Sequence, residues 1–285
     1  MKHIFLFIIA ASVMINCSSA PKEADLKLMS FNIRNSHSNS DDGDNSWLYR
    51  KYATVKMIAS LQPDIIGMQE VTGLQRAFLT DSLPGYAQYG LDRDSGLPDG
   101  DGESMSIFYR TDRFELVDEG TIWLSETPDT VSIGWDAACI RTATFVQLID
   151  KKNDGKILFF LNTHFDHVGA IARREEGKML MKWIDERFTQ GATMVLTGDF
   201  NSTVENEALQ PLNENMNYAR STAAQTDNSG TYHAWGEIPE QKRQVIDHIY
   251  VKGIVPMTYR VVNENYGVPY ISDHYPILIT ADYKN

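Results

Sequence analysis

The chain has 285 residues, and 26 Lys and Arg against 38 Asp and Glu give it a net charge of −12 at pH 7. An acidic surface of this kind repels polyphosphate backbones and lacks the basic stripe of a tight nucleic-acid-binding protein. Phosphate chemistry is not excluded, because a cation held by carboxylates can lie between the protein and a phosphorylated substrate.

The first 20 residues predict a signal peptide. Lys2 precedes an apolar run from Ile4 to Ile15, shorter than the ~20 residues that span a bilayer, and small polar residues follow. Two processing routes are open, lipidation of Cys17 as in a bacterial lipoprotein, or ordinary cleavage after Ala20. Either route predicts an exported bacterial protein, in the periplasm or on the outer membrane, which touches the membrane only through a lipid anchor.

Residues 25–284 predict one domain, because no Gly/Ser-rich or Pro-rich linker and no internal repeat divides them. Losing Cys17 leaves Cys139 without an intramolecular partner, so we expect a core-stabilised fold without a disulfide. Cys139 is expected to be a small buried apolar side chain.

Apolar stretches and helical periodicities alternate along this domain. The predicted elements are a strand over 26–34, a helix over 47–62, a strand over 64–70, a helix over 73–83, a Gly- and Asp-rich loop over 85–104, strands over 105–110, 114–125, 140–150 and 156–165, a helix over 172–188, a strand over 192–200, a helix over 203–212, and strands over 244–251 and 275–283. Many strands interleaved with a few helices predict an α/β fold of two sheets packed face to face, with helices outside.

Polar side chains repeatedly end the apolar strands. The set comprises Asn32, Glu70, Glu103, His164, Asp166, Asp199, Asn201, Asp247, Asp273 and His274. Any one of them could cap a turn, but strand ends on one edge of a sheet converge on one crevice. Burying so many carboxylates is costly unless they are paired or bind a metal. Because cationic partners are few in these segments, a divalent cation is the simplest neutraliser, and oxygen donors suit Mg²⁺ or Mn²⁺.

Phosphoester hydrolysis is the chemistry that this set suits. Mg²⁺ held by few carboxylates takes further ligands from a phosphate, polarises it and stabilises the leaving group. A histidine held by an aspartate could orient or deprotonate the attacking water, since imidazole titrates near neutral pH. Neither CxxC nor HExxH spacing occurs, which argues against structural zinc or a zinc protease.

The ordered segments SFNIR, QE, GES with SIFY, NTHFDH, TGDFN, IDHIYV and SDHYPI resemble the endonuclease/exonuclease/phosphatase superfamily. That superfamily contains pancreatic-type DNases, apurinic-site endonucleases, inositol-polyphosphate phosphatases and neutral sphingomyelinases. The resemblance runs from Leu28 to Ile279 and is strongest to an uncharacterised, exported bacterial branch near the sugar-phosphate phosphatases. It implies a DNase I-like, four-layer α/β/β/α sandwich of two mixed β-sheets flanked by helices.

The resemblance also implies metal ligands or their immediate supports. These are Asn32 and Glu70, together with Asp247 and Asp273.

Catalytic roles are implied in the same way. Asp199 resembles the residue that positions or activates the attacking water, and Asn201 the one that donates to a phosphate oxygen. His164 and His274 would bracket the scissile phosphate, with Asp273 orienting His274.

Substrate contacts are the least constrained group. Glu103 matches an acidic residue that supports a histidine in DNase-like members, and Arg93 lies in the loop before it. Asp166, His233 and Trp235 complete the predicted substrate-binding set, since aromatic rings can stack on a sugar or a nucleobase. Further cations near the motifs are Arg141, Arg173 and Arg174.

The sequence therefore predicts an exported, Mg²⁺-dependent phosphoesterase of a small phosphomonoester or phosphodiester, of the sugar-phosphate or lipid head-group type. A secreted metal-dependent endonuclease or exonuclease is the alternative, although the acidic charge disfavours a nucleic-acid partner. A catalytically inactive surface binding lipoprotein is a remote alternative, because such a protein should lack one of Glu70, Asp199, Asp273 or His274, and all four are present. The oligomeric state is not predicted.

Overall fold

A computed structural model describes residues 24–188 and 192–284 of the chain. The predicted signal peptide, with its processing sites at Cys17 and Ala20, lies outside the described residues. The domain bounds of 25–284 stay a prediction. Within the described ranges, no helix is both long and apolar enough to cross a membrane.

Strands make up most of the regular structure. They are β1 (Leu26–Asn32), β2 (Ile65–Val71), β3 (Tyr86–Tyr89), β4 (Ser104–Arg110), β5 (Phe114–Trp123), β6 (Thr142–Asp150), β7 (Lys156–His164), β8 (Thr193–Asp199), β9 (Asn217–Tyr218), β10 (Gln225–Thr226), β11 (Asp247–Lys252), β12 (Ile254–Val261) and β13 (Ile277–Tyr283). The α-helices are α1 (Asn39–Asp42), α2 (Trp47–Leu61), α3 (Gly73–Ser82), α4 (Ala170–Arg187), α5 (Gln210–Asn215) and α6 (Ala219–Thr222).

The described strands form two mixed sheets. One has the order β10-β12-β13-β1-β2-β4-β3 and the other β5-β6-β7-β8-β11-β9. Most neighbours are antiparallel, but β1 runs parallel to β2, and β7 runs parallel to β8. The parallel pairs bring the ends of β1, β2, β7 and β8 to the same edge of the sandwich.

Three apolar clusters separate four layers. Leu28, Ile65, Val146 and Val195 belong to the cluster between the two sheets. A second cluster joins α2 and α3 to the first sheet, and a third joins α4 and α5 to the second sheet. The predicted four-layer α/β/β/α sandwich is confirmed.

The two sheets lie close together at Gly67 of β2, three residues before Glu70. A Cβ on Gly67 would lie 2.1 Å from Thr197 Oγ1, so only glycine fits there. Beside it, Gln69 Nε2 donates to Asn162 Oδ1 at 2.6 Å, and Asn162 Nδ2 donates to the Met68 carbonyl at 2.7 Å. These bonds satisfy polar groups that would otherwise be costly to bury.

Most predicted elements are present with ends shifted by no more than three residues. The short elements α1, β9, α6 and β10 were not predicted, and three longer regions also differ. A strand over Ile254–Val261 was not predicted. It contains Pro256, which disfavours a strand, although its residues alternate between buried and exposed as in a strand with one covered face. The predicted helix over 203–212 is instead a short 3₁₀ turn at Glu207–Leu209 followed by α5, in which Pro211 occupies the first turn. The predicted loop over 85–104 contains the short strand β3.

Candidate active site

A cavity of about 410 Å³ opens at the edge where the polar strand ends meet, and we call it the edge cavity. It brings together residues that are far apart in the sequence. The predicted site residues that line it are Glu70, Arg93, Glu103, His164, Asp199, Asn201, Asp273 and His274.

Strand register aligns the centre of the site. His164 on β7 is the cross-strand neighbour of Asp199 on β8, and Asp199 is in turn the neighbour of Asp247 on β11. His164 Nε2 lies 3.5 Å from Asp199 Oδ2, and His274 Nε2 lies 3.7 Å from the same oxygen. Asp199 therefore lies between two histidines.

His274 is held by Asp247. Its Nδ1 donates to Asp247 Oδ2 at 2.9 Å, and both side chains are buried. Burial opposes a charged ring, but the carboxylates of Asp247 and Asp199 outweigh it and raise the pKa of His274 well above its usual value. The prediction that Asp273 orients His274 is wrong. Asp273 Oδ1 instead accepts from Ser272 Oγ at 3.2 Å.

Asp199 occupies an electrostatically crowded position. Its Oδ2 accepts from Asn32 Nδ2 at 2.9 Å, and its Oδ1 accepts from the Asn201 backbone N–H at 2.9 Å. Burial and the charge of Asp247 nevertheless raise its pKa to about 7. This carboxylate can therefore exchange a proton near neutral pH.

His164 is held in the neutral state. Burial, followed by the charges of Arg141 and Arg93, lowers the pKa of His164 well below its usual value. Within the described part of the chain, no group bonds to its buried Nδ1. The two histidines that flank Asp199 therefore differ in charge at neutral pH, His274 being cationic.

Glu70 is placed by an irregularity of β2. The pairing of β2 with β4 shifts between Met68 and Val71, and Glu70 has a φ of +65°. For a residue other than glycine this conformation costs ~1–3 kcal/mol and is concentrated at functional sites. Burial raises the pKa of Glu70, but hydrogen bonds from Asn32 at 3.0 Å and from Asn35 at 2.9–3.0 Å bring it below the usual value.

The residues at this edge fit a divalent cation. Asp199, Asp247 and His274 each place one ligand atom within 4.8 Å of the others, but a protonated His274 has no lone pair to offer a metal. The carboxylates of Glu70 and Asp273, which also line the edge cavity, are the remaining oxygen donors. The buried Asp247 Oδ1 has no hydrogen-bond partner among the described residues. The pKa of Asp273 is raised by burial and by the charge of Glu70. The cationic side chains of the protein do not neutralise all of these carboxylates, and a bound metal ion would neutralise the remainder.

The remaining side of the cavity carries two arginines. Arg93 Nη1 forms an ion pair with Glu103 Oε2 at 2.7 Å, and burial together with the charge of Glu70 raises the pKa of Glu103 to about 7. Arg141 Nε lies 3.3 Å from Asp166 Oδ2.

Two predicted substrate contacts need correction. Asp166 is fully buried, because its carboxylate accepts hydrogen bonds from backbone N–H groups and from Arg141. His233 is also fully buried, with its ring 4.1 Å from the ring of Tyr275, and burial lowers its pKa to about 3. Neither can touch a substrate in the edge cavity.

Other predicted residues lie behind the cavity lining. Asn32 and Asp247 are buried and bond to lining side chains. Their role as metal ligands or as immediate supports of those ligands stays a prediction. Trp235 does not line the cavity; its ring faces the guanidinium of Arg50 at 5.5 Å, and its substrate role also stays a prediction. Arg173 Nη1 donates to the Asp166 carbonyl at 3.0 Å, outside the cavity.

The cavity also contains residues that the sequence did not single out as site residues. Arg34 and Asn35 follow β1, and Arg34 Nη1 lies 3.9 Å from Asp273 Oδ2. The ring of Tyr232 lies 4.8 Å from that of His274. Cys139 lines the cavity and is half-buried, so the expectation of a fully buried side chain is wrong. The SFNIR segment contains Arg34, but its φ of +57° could not be read from the sequence.

Two mixed sheets with helices outside, and a cavity of carboxylates and histidines at one edge, define a DNase I-like α/β sandwich. The chain belongs to the Endonuclease/Exonuclease/phosphatase family, whose model matches residues 29–274. Members of this family hydrolyse phosphoester bonds and generally use a divalent metal. The predicted family is therefore confirmed.

Three relatives show how the similarity is distributed. An endonuclease/exonuclease/phosphatase from Bacteroides vulgatus is 37% identical with a TM-score of 0.85, and the match covers 91% of this chain and 99% of that one. A mannosyl-6-phosphatase from Bacteroides thetaiotaomicron is 29% identical with a TM-score of 0.83, covering 90% of this chain and all of that one. An uncharacterized protein of Acanthamoeba polyphaga mimivirus is 26% identical over 257 residues, or 82% of this chain and 91% of that protein.

Proposed function

We propose that this protein is a Mg²⁺-dependent phosphoesterase that hydrolyses a small phosphomonoester or phosphodiester, of the sugar-phosphate or lipid head-group type. The observation that carries the proposal is the position of Asp199, 3.5 Å from His164 and 3.7 Å from His274 in one cavity. A carboxylate between a neutral and a cationic imidazole can take a proton from water while both rings face the phosphate.

Each residue then has a distinct task. Asp199 positions the attacking water and accepts its proton, for which a pKa of about 7 is suited. His274, cationic and held by Asp247, stabilises the negative charge that develops on the phosphoryl oxygens. His164 donates a hydrogen bond through Nε2 to the phosphate. Asn201 Nδ2 donates one N–H to the Phe165 carbonyl at 2.8 Å and has a second N–H for the phosphate.

We propose Glu70, with Asp273 nearby, as the carboxylates that hold the cation. Oxygen donors suit Mg²⁺, and Mn²⁺ is an acceptable substitute. When bound, the cation supplies Lewis-acid polarisation of the phosphoryl oxygen and stabilises the leaving group. Asn32 and Asn35 hold the two oxygens of Glu70 from behind, which fixes the carboxylate in one orientation.

A small substrate is supported by the size and charge of the site. A cavity of about 410 Å³ lies near the lower end of the ~300–1,000 Å³ range of ligand pockets. The net charge of −12 disfavours a long polyanion. The similarity to a protein named as a mannosyl-6-phosphatase supports a sugar phosphate as the substrate.

The test is phosphate release by the purified mature chain with Mg²⁺, Mn²⁺ or EDTA. The substrates are sugar phosphates, nucleotides, inositol phosphates, sphingomyelin with phosphocholine detection, and plasmid DNA on a gel. Metal-dependent release from one small class supports the proposal. Nicked plasmid without phosphate release favours a nuclease, and its activity should fall steeply with salt. Ligand binding without any turnover favours the binding protein.

Two variants test the assigned roles. His274→Ala and Asp199→Ala should each lower kcat by about a hundredfold or more, the usual effect of losing a positioned acid–base or electrostatic group. Exposed residues provide matched controls in His37→Ala and Asp112→Asn, which should retain normal turnover. Near-normal kcat in either site variant, with the fold intact by circular dichroism, contradicts the assignment.

Export, with or without a lipid anchor, is part of the same proposal. The mass of the protein isolated from cells distinguishes lipidation at Cys17 from cleavage after Ala20. An intact N-terminus at Met1 would contradict export.

A further inference from the structure

Two guanidinium groups line the edge cavity on the side of His164. They belong to Arg93 and Arg141, which we call the arginine pair, and their side chains are 12% and 4% exposed. Their combined charge acts on His164, where it helps to lower the pKa of that ring. The proposed mechanism assigns no task to either arginine.

Arg141 is fixed from outside the cavity. Its Nε lies 3.3 Å from Asp166 Oδ2, and its Nη2 donates to His167 Nδ1 at 2.9 Å. The Asp166 carboxylate also accepts three backbone N–H groups at 2.7–3.0 Å. The negative charge of Asp166 is therefore stabilised by three N–H groups as well as by Arg141, so Arg141 is not its only partner. The guanidinium therefore keeps positive character toward the cavity.

Arg93 is fixed in a comparable way. Its Nη1 pairs with Glu103 Oε2 at 2.7 Å, its backbone N–H donates to the Glu103 carbonyl at 2.9 Å, and its carbonyl accepts from Trp123 Nε1 at 2.8 Å. Both guanidinium groups are thus held in place before a substrate arrives, so little side-chain entropy is lost on binding.

The charge and shape of the arginine pair fit one kind of phosphate better than another. A phosphomonoester carries about −1.5 to −2 charge and three terminal oxygens at pH 7. A phosphodiester carries a single charge and only two free oxygens, because its third is blocked by the second ester group. Guanidinium forks bind such oxygens in pairs, with geometry that an ammonium does not reproduce.

We propose that the arginine pair binds the terminal oxygens of a phosphomonoester dianion and thereby makes the edge cavity selective for phosphomonoesters over phosphodiesters. The inference rests on the proposed function, and it narrows the substrate to a phosphate with one ester bond. A purely structural ion-pair role for Arg93 and Arg141 would instead affect both substrate types equally.

Kinetics with one leaving group test the selectivity. With Mg²⁺, the wild-type kcat/KM for 4-nitrophenyl phosphate should exceed that for bis(4-nitrophenyl) phosphate by at least about tenfold. Arg141→Met should lower the first value by about 10- to 100-fold and the second by less than about fivefold. Arg141→Lys should recover only part of the loss. Equal losses on both esters would overturn the inference.

Arg173→Met is the matched control. The Arg173 side chain donates to the backbone carbonyl of Asp166, but Arg173 does not line the edge cavity. It should therefore leave the ratio of the two kcat/KM values unchanged. If Arg173→Met changed the ratio of the two kcat/KM values as much as Arg141→Met does, the Asp166 segment rather than the Arg141 guanidinium would set the selectivity. That result would overturn the inference.

Calorimetry on the wild-type protein separates this inference from the proposed function and needs no variant to fold. In metal-free buffer, where Mg²⁺ cannot itself favour the dianion, inorganic phosphate should bind at least about tenfold more tightly than dimethyl phosphate. If neither ester is hydrolysed, the proposed hydrolase function fails, yet this binding preference would still support the arginine pair. Equal affinity for the two anions would overturn the pair's role, whatever the activity.

Discussion

Replacing Asp247 with asparagine removes the carboxylate that holds His274. The two side chains are buried, and Asp247 Oδ2 accepts from His274 Nδ1 at 2.9 Å. A hydrogen bond to a charged group contributes ~1.5–3 kcal/mol, which corresponds to about 10- to 150-fold in rate when it acts in the transition state. We therefore expect Asp247→Asn to lower kcat by about 10- to 150-fold.

Two measurements separate this effect from misfolding. Steady-state kinetics should show the loss mainly in kcat, because the substrate still meets the same lining side chains. Imidazole ¹⁵N NMR of the metal-free protein should show the pKa of His274 falling toward its ordinary value, since the carboxylate of Asp247 is the leading cause that raises it. Asp112→Asn, at an exposed ion pair, should change neither quantity.

Asp273→Asn gives the sharpest comparison. The pKa of His274 should fall less in this variant than in Asp247→Asn, because Asp273 contributes to that pKa without bonding to the ring. The reasoning is refuted if Asp247→Asn retains kcat within about threefold, well below the loss expected for one charge-assisted hydrogen bond. A larger pKa change on replacing Asp273 would refute it as well.

Three further outcomes are expected. Arg50→Met should lower the free energy of unfolding in urea by about 2–6 kcal/mol, because two buried carbonyls lose their donor. The control Arg110→Met, at an exposed ion pair, should lower it by less than about 1 kcal/mol. Similar losses of stability in the two variants would contradict the role of Arg50. Glu70→Gln should raise the Mg²⁺ concentration for half-maximal activation by about tenfold or more, and an unchanged activation curve would exclude Glu70 as a ligand. Burial lowers the pKa of His248 to about 4, below the ~6.5 of an unfolded chain. The unfolded state is therefore protonated first, and stability should fall by up to about 3 kcal/mol as the pH drops from 6.5 to 4. His248→Gln should flatten that part of the urea-unfolding pH profile.

Regular elements were predictable wherever the local pattern was strong. The apolar runs of β1 and β8 and the helical spacing of α2 predicted those elements with ends one or two residues from the observed ones. Where local signals conflicted, the prediction failed. Ile254–Val261 contains Pro256, and the strand forms because its pairing with β13 shifts between Pro256 and Thr258. Pairing with a distant strand outweighed the local preference.

The identity of most lining residues was also predictable, because carboxylates and histidines at the ends of buried strands have no packing role. Their partners were not predictable. Adjacent positions in the SDH segment suggested that Asp273 serves His274, yet neighbouring residues of an extended chain point in different directions. Asp247 is the partner because β11 pairs with β8 in a register that sets it beside Asp199.

By itself, the sequence determined the fold class, the edge at which the polar residues gather and the kind of chemistry they suit. These follow from hydrophobic periodicity and from residue type, which are local properties of the chain. Only the tertiary structure decided which carboxylate holds His274, that His233 and Asp166 are buried outside the lining of the edge cavity, and that Arg93 and Arg141 line the same cavity. Those outcomes depend on strand register and on turns with positive φ, such as the one at Arg34, which bring together residues that are distant in the sequence.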